Sequence, residues 1–418
     1  MRVSLFTGPY PVGERMGGIG LRMWEIALGL RAAGHCIRVI AAPGSDVSWS
    51  RDGLEVREFG EDGWQAEVEA AQAVITTDLP DPRVLLHAHR LGRLIISENA
   101  PPIEHLHYDQ LRDSANADRF YEQLVAQFRL QSWVSDHFLA RSEVERAGMY
   151  ATLVALGRLT PRQHAVDRQL HHLVSLVPIG FSPEAATTAA HAVPTATPAD
   201  YAWSGGVWDF TDTGVLCQAL AALRDARRAV SVRFCYPPPA NQRIAEADRL
   251  HRFTADLGLD AHLVHHDRPL PHTGRDGILA SSRALVCLGR PGAENETCHR
   301  LRLRDVLLHR MPIVIDSHGA SGSWVARHGV GLTVDTTDVA EVAAALDELI
   351  HNRETYAACR AAIDVLRPAY RMDVTLTPLL NFLHHGRRAP DTGGPRQKAA
   401  VERLFSEVPA VADPIQLI

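Results

Sequence analysis

The chain is predicted to be an α/β protein built from two doubly wound, Rossmann-like domains that face each other across a cleft. Three observations predict it. A length of 418 residues exceeds one compact domain at roughly 150 residues each. The first 45 residues read as strand, glycine-rich loop, helix and strand. After a Pro/Ala/Thr-rich stretch, a second alternating series of strands and helices begins.

In chain order, Val3–Phe6 is a short apolar strand, and the loop 7–20 carries Gly8, Gly13, Gly17, Gly18 and Gly20. Leu21, Trp24, Ala27 and Leu28 follow at helical spacing, Gly34 suits a C-cap, and 36–42 is a buried strand. Such a βαβ start implies a parallel sheet covered by helices. Further strands are expected at 54–59, 73–77, 93–97, 136–140 and 173–178, with helices at 116–130 and 142–156. The run 182–200 breaks the pattern and reads as linker. Strands then fit 201–204, 230–236, 261–265, 283–288, 312–315 and 331–334, and helices fit 213–224, 243–257, 298–309 and 339–351. Helix continues to about Leu383, and a polar, glycine-containing tail follows. The expected domains are 1–183, a linker 184–200, 201–370, and a C-terminal helix and tail 371–418.

Composition narrows the function classes. Hydrophobic residues are 46% and charged residues 22%, as in a soluble globular protein, and a net charge of −6 offers no basic face for nucleic acid. The six cysteines form no CxxC pair, which suits a reducing cytoplasm, and no apolar run reaches membrane-span length. Among 43 basic residues only Lys398 is lysine. A P-loop and a pyridoxal Schiff base each need a well-placed lysine, and Lys398 lies in a polar tail, so neither class is expected. The 22 histidines include adjacent pairs but no His-Glu-x-x-His, and no metal site is expected.

Facing Rossmann-like domains place ligands at the carboxyl ends of their strands. Gly17-Gly18-Ile19-Gly20 lets backbone approach a ligand there and sets a helix N-terminus at the same point, which favours anions. It lacks the third glycine of GxGxxG, so a nicotinamide site has weak support, and a ligand-free tight turn remains an alternative. Ser204-Gly205-Gly206 opens the second domain, with Asp212 able to cap the next helix. An acidic loop, Glu294-Asn295-Glu296, leads into Arg300, Arg302, Arg304 and Asp305. Helical neighbours two apart point about 200° from one another, so the arginines do not share a face. The acids and arginines either grip a nucleotide sugar or form a solvated ion-pair cluster.

In order and spacing these segments resemble the GT-B glycosyltransferases of the retaining, family-4 type. The similarity runs from Met1 to about Leu383. It is carried by residues 17–28, by Asp136, Ser142, Glu143, Arg146, Gly157 and Arg158, by Val177-Pro178-Ile179-Gly180, by 201–223 and by 294–315. The resemblance implies a metal-independent enzyme with no cofactor, moving a sugar from a GDP- or UDP-linked donor to a small-molecule acceptor with retention. Asp305 falls where the family places the second glutamate of its E-x7-E motif, which holds the ribose hydroxyls; the first falls on Thr297, a departure. Glu294 matches the subgroup's acidic loop and is the candidate sugar contact, with Glu296 as fallback. Arg300 and Arg302 match its Arg-x-Arg.

The family's usual arginine and lysine diphosphate clamp is missing, with Gly206 at one position and Phe210 or Thr211 near the other. Arg302, with the amides of Gly17 and Gly18 and a helix start near Cys298, is expected to replace it. Gly205 and Gly206 are expected to line the donor, and Arg268 lies in a loop expected to meet the nucleotide base. Arg22, Glu98 and His105 are the expected acceptor contacts, with cap and turn roles as their alternative. The setting implied is bacterial specialised metabolism such as antibiotic biosynthesis, including sugar transfer to a thiol as in lincosamide assembly. Polysaccharide or O-antigen synthesis, and an inactive sugar-nucleotide binder, stay open, as does a homodimer.

Overall fold

The computed structural model describes residues 1–418 except 15, 61–62, 99–114, 196, 237–243, 266–269 and 408–418. The chain divides into two compact units, residues 1–179 with 372–418, and residues 180–371.

The first unit is one parallel sheet of seven strands: β1 (Arg2–Phe6), β2 (Cys36–Ala41), β3 (Leu54–Glu58), β4 (Ala73–Thr76), β5 (Leu94–Glu98), β6 (His137–Ala140) and β7 (Val174–Leu176). Their order is β3-β2-β1-β4-β5-β6-β7, so the winding direction reverses between β1 and β4. Side chains of period two separate its faces. Val3, Leu5, Ile37, Val39, Ala73 and Ile75 pack under helix Gly18–Ala32, whereas Phe6, Ile40, Val74 and Ile95 pack on the other face against helix Ala117–Val134.

The second unit is a parallel sheet of six strands: β8 (Ala199–Trp203), β9 (Val232–Phe234), β10 (Leu263–Val264), β11 (Ser282–Cys287), β12 (Ile313–Asp316) and β13 (Gly331–Val334). The order β10-β9-β8-β11-β12-β13 reverses between β8 and β11. Each sheet is thus a Rossmann-like, doubly wound domain with a switch point, the usual ligand position in such sheets.

Three expectations differ from what is found. The expected linker 184–200 lies within the second unit and begins in helix Pro183–Ala190, where Ser182 Oγ accepts the Ala185 amide at 3.1 Å. The expected polar tail holds helix Pro395–Glu407, which buries Val401 and Leu404 against Leu130 and Trp133. The expected helix 298–309 is helical only over Leu303–Leu308, with residues 298–302 unwound after a separate short helix, Ala293–Thr297.

Residues 372–407 belong to the first unit because several devices hold them there. Gly29 leaves room for Leu376 and Met372, which a Cβ would strike. Fully buried Arg158 donates to the Ser132 and Ser135 carbonyls at 2.6 and 2.7 Å and to Asp391 at 2.7 and 2.9 Å. Asp136 accepts from the amide of Ala389 at 3.0 Å and the hydroxyl of Thr392 at 2.9 Å. One acid and one arginine of the sequence motif, Asp136 and Arg158, therefore anchor the C-terminal segment.

Candidate functional site

At the β8/β11 switch point, β8 runs into Ser204-Gly205-Gly206. The guanidinium of Arg302 lies across Gly205: a Cβ there would sit 2.5, 2.7 and 3.0 Å from its Nη2, Cζ and Nε. Cζ stands 5.3 Å from the indole centroid of Trp203, and Nη2 donates to the Gly206 carbonyl at 3.3 Å. Trp203 is sealed from solvent and stacks on Phe234 at 5.3 Å, which stacks on His265 at 4.9 Å. A Cβ on Gly206 would meet Trp208 Nε1 at 2.9 Å. The close approach of Arg302 and Trp208, rather than an unusual backbone angle, is what a side chain at either glycine would disturb. The indole face favours the cation, and Arg302 Nη1 is buried with no hydrogen-bond partner among the described residues. A buried cationic N–H without an acceptor is costly, and an anionic oxygen at that point removes the cost. Asp212 caps helix Thr213–Asp225 as expected, accepting the Val215 amide at 3.0 Å.

The acidic loop forms helix Ala293–Thr297, the chain unwinds over 298–302, and helix Leu303–Leu308 follows. Arg300 explains the break. Its amide donates to Ser321 Oγ at 2.9 Å, and its guanidinium donates to Asp316 at 2.6 Å, Asn295 at 2.5 Å and Cys287 Sγ at 3.1 Å. Asp316, itself fully buried, also accepts the Gly289 amide at 2.7 Å. Unwinding lets Arg300 turn into the domain while Arg302 turns to Gly205. Arg300, expected at the donor, is thereby occupied by protein partners and pins the loop bearing Glu294 and Glu296. Glu294 is half-exposed and Glu296 exposed. Thr297 donates its hydroxyl to Ala293 at 2.9 Å. The expected helix start near Cys298 is instead a helix end, with its amide bonded to the Glu294 carbonyl at 3.0 Å.

Asp305, expected at the ribose, is 1% exposed and its carboxylate meets the guanidinium of Arg275. Burial pushes this carboxyl up, but Arg275, His309 and Arg304 outweigh burial and hold it below the ordinary range. A neighbouring helix, His272–Ala280, supplies Arg275. Among the described residues no three His, Cys, Asp or Glu side chains gather as a metal-ligand set.

In the first unit, Gly17 is the N-cap of the helix Gly18–Ala32 and has no side-chain cap; Gly17 and Gly18 are exposed. Gly20 is required because a Cβ would overlap the Pro11 carbonyl. Arg22 and Glu98, expected to meet an acceptor, bind each other instead. Arg22 Nε donates to Glu98 at 3.1 Å, and Nη1 and Nη2 donate to the Pro178 and Val177 carbonyls at 2.9 and 2.7 Å. Both are buried, so the pair ties helix to sheet as an internal cross-link. His105 and Arg268 lie outside the described residues.

No family model matches the chain, and no curated protein matches it either. Solved structures do. Trehalose-6-phosphate synthase OtsA is similar at a TM-score of 0.64 and 13% identity, over 92% of this chain and 99% of that one. Sucrose-phosphate synthase from Thermosynechococcus elongatus gives 0.61 and 13%, over 93% and 100%. HepE from Anabaena, solved with UDP and glucose, gives 0.61 and 13%, over 91% and 99%.

The fold is GT-B.

Within this GT-B chain, sequence reasoning missed Trp203, Arg275, Asn295 and Asp316. Trp203 and Asp316 had a usable signal, since each ends a strand on the carboxyl edge of the second sheet. Asn295 sat inside the acidic loop already singled out. Arg275 gave none: a lone arginine early in a helix reads as surface, and only the packing buries it.

Proposed function

We propose that the chain is a glycosyltransferase that moves a sugar from a nucleoside diphosphate sugar to a small-molecule acceptor, with retention and without a metal ion. The observation that carries this reading is Arg302, a cation laid over a glycine pair at the switch point of the second sheet, with one buried N–H unpaired. The GT-B fold and a neighbour solved with UDP and glucose support it. In this reading the diphosphate meets Arg302 beside Gly205 and Gly206, the half-exposed Glu294 faces the sugar, and Arg300 holds the loop that presents it. The bond from the anomeric carbon to the diphosphate oxygen breaks as a bond to the acceptor forms, and the acceptor proton passes to the diphosphate. Arg302 stabilises the negative charge that grows on that leaving group. The exposed amides of Gly17 and Gly18 offer a second anion-binding edge in the first unit.

A thermal-shift screen of UDP, GDP and TDP is expected to single out one base, because a ligand that binds only the native state raises stability. Arg302→Ala is then expected to weaken that nucleotide by roughly tenfold or more, the loss of one charge-assisted hydrogen bond. An unchanged dissociation constant removes Arg302 from the site. Incubation with the matching sugar nucleotide is expected to give slow donor hydrolysis. Binding without any turnover would instead favour a sugar-nucleotide binder, the reading that the missing arginine and lysine clamp supports.

A further inference from the structure

Between helices His272–Ala280 and Leu303–Leu308 lies a knot of charged side chains that the proposed chemistry leaves unused. Arg275 and Asp276 stand on the first helix and Arg304 and Asp305 on the second, each less than a tenth exposed. Arg275 Nη2 donates to Oδ2 of Asp305, and its Nη1 lies 3.6 Å from Asp276. His309, capping the second helix, brings Nε2 to 3.5 Å from Asp276, and Arg304 Nη1 is 3.8 Å from Oδ1 of Asp305. His272 completes the set from the first turn of its own helix, and burial lowers its pKa to about 4. Breaking a buried pair strands a charge in low dielectric, so the two helices are held in one register.

That register reaches the candidate donor site in two bonds. The Asp305 amide donates to the Arg302 carbonyl at 2.9 Å, and Arg302 is the N-cap of the helix. The carboxylate gripped by Arg275 therefore belongs to the residue whose backbone fixes Arg302. At 1% exposure the same carboxylate is shut from solvent; Arg275 holds its Oδ2, and its Oδ1 has no hydrogen-bond partner among the described residues. Aspartate is also a methylene shorter than glutamate, which draws the acid back toward Arg275.

We propose that Arg275 is a positioning residue that, through Asp305, aims Arg302 across Gly205, and that Asp305 is a structural carboxylate rather than a nucleoside ligand. The inference rests on the nucleotide reading given above. It carries a specificity consequence: no acid at Asp305 recognises the ribose hydroxyls, so ribo- and 2′-deoxyribonucleotides bind alike.

The test titrates UDP and GDP, each beside its 2′-deoxy form, into the full-length protein and three variants: Arg275→Met, Asp305→Asn and the double variant Arg275→Met/Asp305→Leu. The wild type is expected to bind the preferred nucleotide and its 2′-deoxy form within about threefold, since no hydroxyl is left unpaired. Arg275→Met is expected to weaken both by roughly tenfold, and the double variant, an apolar replacement of the pair, to return within about threefold of wild type. If Arg275→Met does not fold, the double variant alone decides. A folded double variant that binds as poorly as Arg302→Ala overturns the inference. So does a wild-type preference for the ribonucleotide above about tenfold that Asp305→Asn abolishes, the signature of a direct ribose contact. Failure of the wild type to bind any nucleotide brings down the functional reading itself, a separate outcome.

Discussion

Gly205→Ala displaces the key cation without removing it. The added methyl would stand 2.5, 2.7 and 3.0 Å from three atoms of the Arg302 guanidinium. Ordinary contact is about 3.5 Å, so the guanidinium must shift by about 1 Å. That takes it off the Trp203 indole, losing about 0.5–2 kcal/mol of cation–π attraction, and away from the position proposed for the donor diphosphate. A charge-assisted hydrogen bond at this point is worth about 1.5–3 kcal/mol. Nucleotide affinity is therefore expected to fall roughly tenfold to a hundredfold. Stability should fall by no more than about 2 kcal/mol, the cation–π attraction lost, because what yields is the end of a flexible side chain. Calorimetric titration with the preferred nucleoside diphosphate, alongside thermal unfolding, measures both. The double variant with Arg302→Ala should bind no worse than Arg302→Ala alone, since both changes act on one group. A normally folded Gly205→Ala protein that binds as tightly as wild type refutes the reasoning.

Acid stability should report His137. Fully buried and stacked on Phe382 at 4.0 Å, it has its pKa lowered from 6.5 to about 4, chiefly by burial. The unfolded chain takes up the proton first, so stability is complete above pH 6.5 and falls by about 3 kcal/mol toward pH 4. Denaturant titrations of His137→Asn across this range should show a pH slope smaller by that amount; an unchanged slope assigns the acid sensitivity elsewhere. Arg300→Met leaves Asp316 buried without its cation and should cost about 3–5 kcal/mol, measured by urea unfolding, whereas a loss near zero would mean the pair is not internal in solution. Adding EDTA to a donor-hydrolysis assay should leave the rate unchanged if Arg302 is the cation at the leaving group, and restoration by a divalent ion would contradict that.

The fold was written in short-range patterns. Period-two runs such as Ile37, Val39 and Ala41 against Ile40 mark a strand buried on both faces, and the strand-to-glycine turns after β1 and β8 mark the switch points. The same glycines pointed to the candidate site, but Arg300 and Arg302 diverge because the chain is unwound over 298–302, not because of the helical spacing expected of them. What the pattern did not carry was the partner of each charge. Arg300 meets Asp316 from 16 residues away, Arg275 meets Asp305 from 30, and Arg158 meets Asp391 from 233. Helix Pro395–Glu407 read as a polar tail because, among its described side chains, Gln397, Val401 and Leu404 are buried and Ala400 is partly so, too few to outweigh its charged face.

By itself, then, the sequence determined two parallel nucleotide-type sheets and the loops that end them, because backbone geometry and side-chain periodicity act over a few residues. Tertiary structure alone decided that Arg302 lies at the glycine turn while Arg300, Asp305, Arg22 and Glu98 turn inward. A buried charge must find its opposite across the fold, and that choice depends on distances the chain acquires only once it is packed.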